Sequence, residues 1–196
     1  MSRETSEKIP NWFEMGSTQE TFGSILSEYT GQDNLRFLEI GSFCGDSSAW
    51  IAKNILTEKN SYLDCVDPWL VDVENLIYDW SEIEAEFDKQ IEPYKDKINK
   101  HKSFSFDYLI KNRETLFDFI YIDGDHSAKA ILEDAVLSWS ILKINGIMAF
   151  DDYEWQHPEG SQYNPKKAID AFLDIYKEKI SVIHVGWQVW IRKTAE

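Results

Sequence analysis

The chain has 196 residues and a formal net charge of −15, with 35 Asp and Glu against 20 Lys and Arg; hydrophobic residues make up 43% and charged residues 28%. That is the composition of one soluble globular domain large enough for a full core. The acidic balance argues against nucleic acid or an anionic membrane as partner. No apolar run reaches the length of a membrane span and the first residues are polar, so a cytoplasmic protein is expected. Cys44 and Cys65 show no metal-ligand spacing and read as reduced core thiols.

Residues 1–16, with Pro10 and the pair Trp12-Phe13, read as an arm that folds over a site or as a frayed terminus. Ser17 and Glu20 have capping-box spacing and predict a helix to about Tyr29, closed by Gly31. Leu35–Ile40 is an apolar strand that runs into the turn Gly41-Ser42-Phe43-Cys44-Gly45 and then a helix, Ala49–Leu56. Strand, glycine-bearing turn, helix is the geometry of nucleotide-type binding units, although GxxxG alone is a weak signal. Glu39, one residue from the end of a buried strand, needs a partner. A cationic ligand or a structural ion pair would supply one.

Ser61–Asp67 is the second strand. An acid at its end, Asp67, is placed to accept both hydroxyls of a ribose, and Trp69 is placed to stack on a base or cover the site. Asp64, in mid-strand, has no explanation at this level. Trp69–Tyr94 is strongly acidic and reads as a solvated face; Ser81 and Glu84 suggest a second capping box. Lys97–His101 is a polar strand suited to a sheet edge. The loop after it offers Phe104 and Ser105 to an adenine, and Asp107–Asn112 makes a short helix.

Phe119–Ile122 and Gly146–Phe150 are continuous apolar runs, as in strands buried on both faces of a parallel sheet. Ser127–Lys143 between them is a helix with a rich apolar face. Each strand ends in carboxylates, Asp123 and Asp125 after the first, Asp151 and Asp152 after the second. Ligands bind beyond the carboxyl ends of such strands, and crowded carboxylates call for a cation. Asp125 also reads as a helix cap. The aromatic segment Tyr153–Tyr163 reads as a lid or acceptor pocket. A helix over Lys166–Tyr176 and two strands, Ile180–Val185 and Gln188–Arg192, joined at Gly186-Trp187, close the chain. The expected fold is α/β, a Rossmann-like three-layer sandwich. Its mostly parallel seven-stranded sheet ends in a C-terminal antiparallel hairpin, and a single domain spans 1–196.

On these residues the chain resembles the class I S-adenosylmethionine-dependent methyltransferases, from about Leu35 to Arg192. Leu38–Ser47 is similar to the first motif of the catechol and caffeoyl-CoA O-methyltransferases. Asp67-Pro68-Trp69 and Ile122–His126 resemble the macrocin O-methyltransferase and cephalosporin hydroxylase-like branch. The resemblance implies S-adenosylmethionine as cofactor, contacted by Glu39, Gly41, Ser42, Phe43, Gly45, Ser47, Asp67, Trp69, Phe104, Ser105 and Asp123. It also implies Mg2+ or another divalent cation held by Asp123, Asp151 and Asp152. Where catechol-type enzymes carry a lysine base, three residues after the first ligating Asp, this chain has His126. An imidazole titrates near neutrality and suits a general base; orienting a neighbouring carboxylate is its alternative role. Ser103-Phe104-Ser105 departs from the family's glycine-containing adenine loop.

The function implied is metal-dependent O-methylation of a small-molecule hydroxyl on a sugar, polyketide-type or phenolic acceptor. An NAD-dependent oxidoreductase and a non-catalytic S-adenosylmethionine-binding protein are the competing readings. The missing third glycine and the carboxylate cluster weigh against the former. A small-molecule acceptor is the expected partner, and a homodimer is admissible.

Overall fold

The computed structural model describes residues 9–70 and 78–196. The first half of the N-terminal arm and residues 71–77 of the acidic stretch lie outside the described residues. Seven strands form one sheet in the order β3-β2-β1-β4-β5-β7-β6. They are β1 (Arg36–Ile40), β2 (Tyr62–Asp67), β3 (Ile98–Lys102), β4 (Phe117–Ile122), β5 (Leu142–Phe150), β6 (Ile180–Val185) and β7 (Val189–Lys193). Six helices accompany them: α1 (Thr18–Leu26), α2 (Asp46–Asn54), α3 (Trp80–Ile91), α4 (Ser105–Lys111), α5 (Ala128–Ile141) and α6 (Pro165–Tyr176). Pairings β1–β4, β2–β3 and β4–β5 are parallel, while β5–β7 and β6–β7 are antiparallel. The expected α/β Rossmann-like sheet with its C-terminal antiparallel hairpin is therefore the fold. Among the described residues no helix is long and apolar enough to cross a membrane.

The chain divides into two compact units. The first comprises residues 1–35 and 42–102. Within it Phe13 meets Phe22 edge-on at 5.1 Å and Trp50 at 5.7 Å, so the described part of the arm is packed rather than frayed. Two caps differ from expectation. Ser17 makes no side-chain cap bond; its carbonyl accepts from Thr21 N and Oγ1 instead. In α3 the cap is Asp79, whose carboxylate accepts from Ser81 N at 2.9 Å and Ser81 Oγ at 2.6 Å. A carboxylate is the stronger acceptor at the positive end of a helix, so Ser81 falls inside the first turn. Glu84 turns away to Lys100 and Lys102. Asp64 is met across the β2–β3 pair by Asn99 Nδ2 at 2.8 Å and His101 Nε2 at 3.0 Å. Cys44 and Cys65 are buried and form no disulfide, as expected.

The second unit comprises residues 36–41 and 103–196. The runs on β4 and β5 are fully buried, with Phe119, Ile120, Ile147, Met148, Ala149 and Phe150 all at 0% exposure. Phe119 lies edge-on to Phe37 at 5.1 Å and stacks on Trp190 at 5.4 Å. Each such side chain contributes roughly 1.5–3 kcal/mol of burial. Lys193, itself 1% exposed, caps the end of α5 by donating to the carbonyls of Trp139 at 3.1 Å and Leu142 at 3.0 Å.

Candidate active site

In the first unit the glycine turn is tied to the end of β2 by one carboxylate. Asp67 Oδ2 accepts from Ser42 N and Phe43 N, both at 3.0 Å, and Oδ1 accepts from Trp69 N at 2.7 Å. A carboxylate offers about four lone-pair sites, so three are taken, and the remaining one lies on Oδ1. Burial pushes the Asp67 carboxyl above its ordinary value, opposed by the three amides. Trp69 is 3% exposed at φ 43°, donates its indole N–H to Phe43 O at 3.0 Å, and packs on Phe87 at 4.7 Å with Lys100 over its ring. Its faces are thus occupied, and it acts on the turn. Gly45 is the N-cap of α2, and Ser47 lies in that helix's first turn. Phe43, at φ 43°, faces Tyr78 and Trp80.

In the second unit the ends of β1, β4 and β5 are knitted by Asp123 N donating to Ile40 O at 2.8 Å and Asp151 N to Ile122 O at 3.0 Å. Gly41 has φ +83°, and a Cβ there would sit 1.9 Å from Asp123 O; only glycine lets these two backbones pass. Glu39 is fully buried and pairs in register with Tyr121. Tyr121 precedes Asp123 by two, so the alternation of a strand puts both on one face.

Of the four acids at the strand ends, Asp123 and Asp152 come together with His126, each offering one ligand atom within 4.8 Å of the others. His126 Nε2 is 3.1 Å from Asp152 Oδ2. Asp152 holds φ +56°, a conformation Asp tolerates better than most residues. Asp151 is engaged otherwise. Its Oδ2 accepts from the Tyr121 hydroxyl and from Gln188 Nε2 at 3.0 Å, and its Oδ1 accepts from Asp152 N at 2.7 Å. Asp125, expected as a cap, stands two residues before the N-cap of α5, which is Ser127; it accepts from Ser127 N at 2.7 Å while the Ser127 hydroxyl accepts from Ala130 N. Burial, then the carboxylates of Asp151, Asp152 and Glu39, push the half-buried Asp123 carboxyl well above the usual range, with partial relief from Tyr121. Burial, then the carboxylates of Asp123, Asp151 and Asp152, push the Tyr121 hydroxyl well above its ordinary value.

An aromatic run leads away from His126: Trp155 at 5.1 Å, His157 at 5.5 Å from Trp155, and Tyr163 at 5.2 Å from His157. Phe104 is exposed, and Ser105 opens α4 and hydrogen-bonds the buried Asp134. Tyr121, Gln188 and Asp134 were not singled out by sequence reasoning. For Tyr121 the alternation with Asp123 was the available signal; for Gln188 there was none.

A family model described as a methyltransferase domain matches residues 38–153. No curated protein matches the chain. Among solved structures, an O-methyltransferase from Bacillus cereus in complex with SAH superposes with a TM-score of 0.67 at 17% identity, covering 94% of this chain and 84% of that one. The O-methyltransferase TomG from Streptomyces achromogenes, in complex with SAM, gives 0.64 at 14% identity, covering 90% and 80%. The MycE methyltransferase of the mycinamycin biosynthetic pathway, in complex with Mg and SAH, gives 0.64 at 13%, covering 96% of this chain and 52% of that one. At these identities the likeness shows the fold. The family match spans more than half the chain and decides against an oxidoreductase. The chain belongs to the methyltransferase domain family and is an S-adenosylmethionine-dependent methyltransferase.

Proposed function

We propose that the protein transfers the methyl group of S-adenosylmethionine to a hydroxyl oxygen of a small sugar, polyketide-type or phenolic acceptor, with the help of a divalent cation, as in the macrocin-type branch. The observation that carries the reading is the meeting of Asp123, Asp152 and His126 within 4.8 Å. The donor chemistry fits a cation. Burial and its neighbours' charge push the Asp123 carboxyl well above the usual range, and a divalent ion among these acids would offset their repulsion. Oxygen donors suit Mg2+ or Mn2+. The O-methyltransferase neighbours, one with Mg and SAH, lend support by fold.

A phenol with a pKa near 10 costs about 4 kcal/mol to ionise at pH 7, and a sugar hydroxyl on the order of 10 kcal/mol. A bound divalent cation supplies Lewis-acid stabilisation of the negative charge developing on the acceptor oxygen. Asp123 and Asp152 would hold it, with Asp151 beside them as a further oxygen donor. His126 takes the acceptor's proton, and Asp152 at 3.1 Å stabilises the imidazolium that results. The run Trp155, His157 and Tyr163 walls the acceptor and excludes water. For the cofactor, in the first unit Asp67 would accept a ribose hydroxyl beside the turn of Ser42, Phe43, Gly45 and Ser47 that Trp69 supports. In the second, Glu39 and Gly41 are its expected contacts on the amino-group side and Phe104 and Ser105 on the adenine side.

A second reading follows from the same geometry: His126 is the third donor rather than the base, which would favour Mn2+ over Mg2+. His126→Ala separates the two. Loss of turnover with Mn2+ affinity unchanged supports the base, and loss of Mn2+ affinity supports the donor. The function itself is tested by methyl transfer to a panel of hydroxylated acceptors. Transfer that survives thorough chelation, or that goes only to nitrogen or carbon, refutes it.

A further inference from the structure

Gln188 and Trp190 are buried polar side chains on or beside β7, at 2% and 0% exposure, and no role in methyl transfer has been assigned to either. The indole N–H can only donate, so Trp190 Nε1 at 3.2 Å must face Gln188 Oε1. That fixes the amide's orientation. Gln188 Nε2 then points at Asp151 Oδ2 (3.0 Å) and at the Tyr121 hydroxyl (3.3 Å). Tyr121 donates to the same Oδ2. Two donors, one on β4 and one just before β7, therefore saturate one oxygen of Asp151. The other oxygen binds Asp152 N at 2.7 Å, in the residue whose backbone is held at φ +56°.

We infer that Tyr121 and Gln188 are positioning residues: by clamping Asp151 they fix the turn that presents Asp152 to His126 and Asp123, so that β7 completes the proposed cation group without contributing a donor to it. The inference rests on the divalent-cation reading. A core built only for stability gains little from polar groups that must all find partners, and here three of them converge on one carboxylate. Outer partners of this kind commonly govern metal affinity by 10–100-fold.

The test is Mn2+ binding by calorimetry to the wild type, Tyr121→Phe and Gln188→Met, with S-adenosylhomocysteine binding and urea midpoint measured alongside. Each variant is expected to bind Mn2+ about tenfold more weakly, with S-adenosylhomocysteine affinity within about twofold of the wild type. The double variant is expected to lose less than the two losses multiplied, because both donors serve one oxygen. Tyr121→Phe removes a single hydroxyl and decides alone if Gln188→Met does not fold. Mn2+ affinity unchanged in folded Tyr121→Phe overturns the inference and leaves the cation reading standing. Equal loss of Mn2+ and S-adenosylhomocysteine binding also overturns it, because the pair would then be merely structural. A wild type that binds no Mn2+ overturns both.

Discussion

Gly41→Ala is the sharpest perturbation of the strand ends. A Cβ at this position would lie 1.9 Å from Asp123 O, 2.5 Å from Asp123 C and 2.8 Å from Gly124 Cα. A carbon and a carbonyl oxygen ordinarily approach no closer than about 3.3 Å, so the end of β4 must retreat by about 1.4 Å. Three costs follow. The left-handed backbone costs roughly 1–2 kcal/mol in alanine, overpacking against backbone costs roughly 1–3 kcal/mol, and the Asp123 N to Ile40 O hydrogen bond, 2.8 Å long, is lost or stretched at about 1 kcal/mol. The sum is about 3–6 kcal/mol, a fall in the urea midpoint of about 1.5–3 M for a slope near 2 kcal/mol/M. Gly31→Ala is the control. Gly31 has a similar φ of +77°, but a Cβ there meets nothing within 4 Å. It should bear only the backbone cost, roughly 1–2 kcal/mol. Urea unfolding of the two variants measures the difference, and Mn2+ calorimetry on Gly41→Ala reports the displaced Asp123 carboxylate. Equal midpoint shifts in the two variants would refute the close approach as the reason for glycine.

Asp134→Asn should stabilise the protein at neutral pH. Burial pushes the Asp134 carboxyl up from 3.8 to about 6, against the Ser105 hydrogen bond and with help from Asp125 and Glu133. The folded state therefore binds this proton more tightly than the unfolded chain does. Its contribution is full below about pH 4 and is lost as pH rises through 6, reaching about 3 kcal/mol at two units. The variant should gain up to that amount over wild type at pH 7 and little at pH 4 in urea titrations; a pH-independent difference would count against it. Asp67→Asn sets an amide N–H against the backbone donors of Ser42 and Phe43, or of Trp69. At about 1.5–3 kcal/mol for charge-assisted bonds, S-adenosylhomocysteine affinity should fall about tenfold or more by calorimetry, and an unchanged value would remove Asp67 from the turn's support. Lys193→Met strands the carbonyls of Trp139 and Leu142 and should cost about 2–4 kcal/mol in urea unfolding.

Much of this was legible because it is local. Apolar runs ending in acids gave β4 and β5, and the turn from Gly41 to Gly45 lay where expected; the cap of α5 is Ser127 instead of Asp125, which braces it from two residues before. What escaped depends on register between distant segments. Asp64 makes sense only once Asn99 and His101 stand opposite it on β3. The engagement of Asp151 with Gln188, 37 residues away, follows from an antiparallel pairing that composition cannot fix. Trp69 was expected to stack on a base or cover the site, and its packing on Phe87 and Lys100 was hidden because they belong to other elements. Capping signals failed where a better acceptor stood nearby, as Asp79 does for α3.

The antiparallel strand β7 follows every other element in chain order, yet Gln188 beside it reaches Asp151 and Lys193 within it closes α5. A nascent polypeptide emerging from the ribosome with its parallel strands already collapsed would still hold an unsupported carboxylate and an open helix end. Co-translational folding can thus lay down the scaffold early, but the bonds to Asp151 and to the end of α5 wait for the hairpin to clear the exit tunnel.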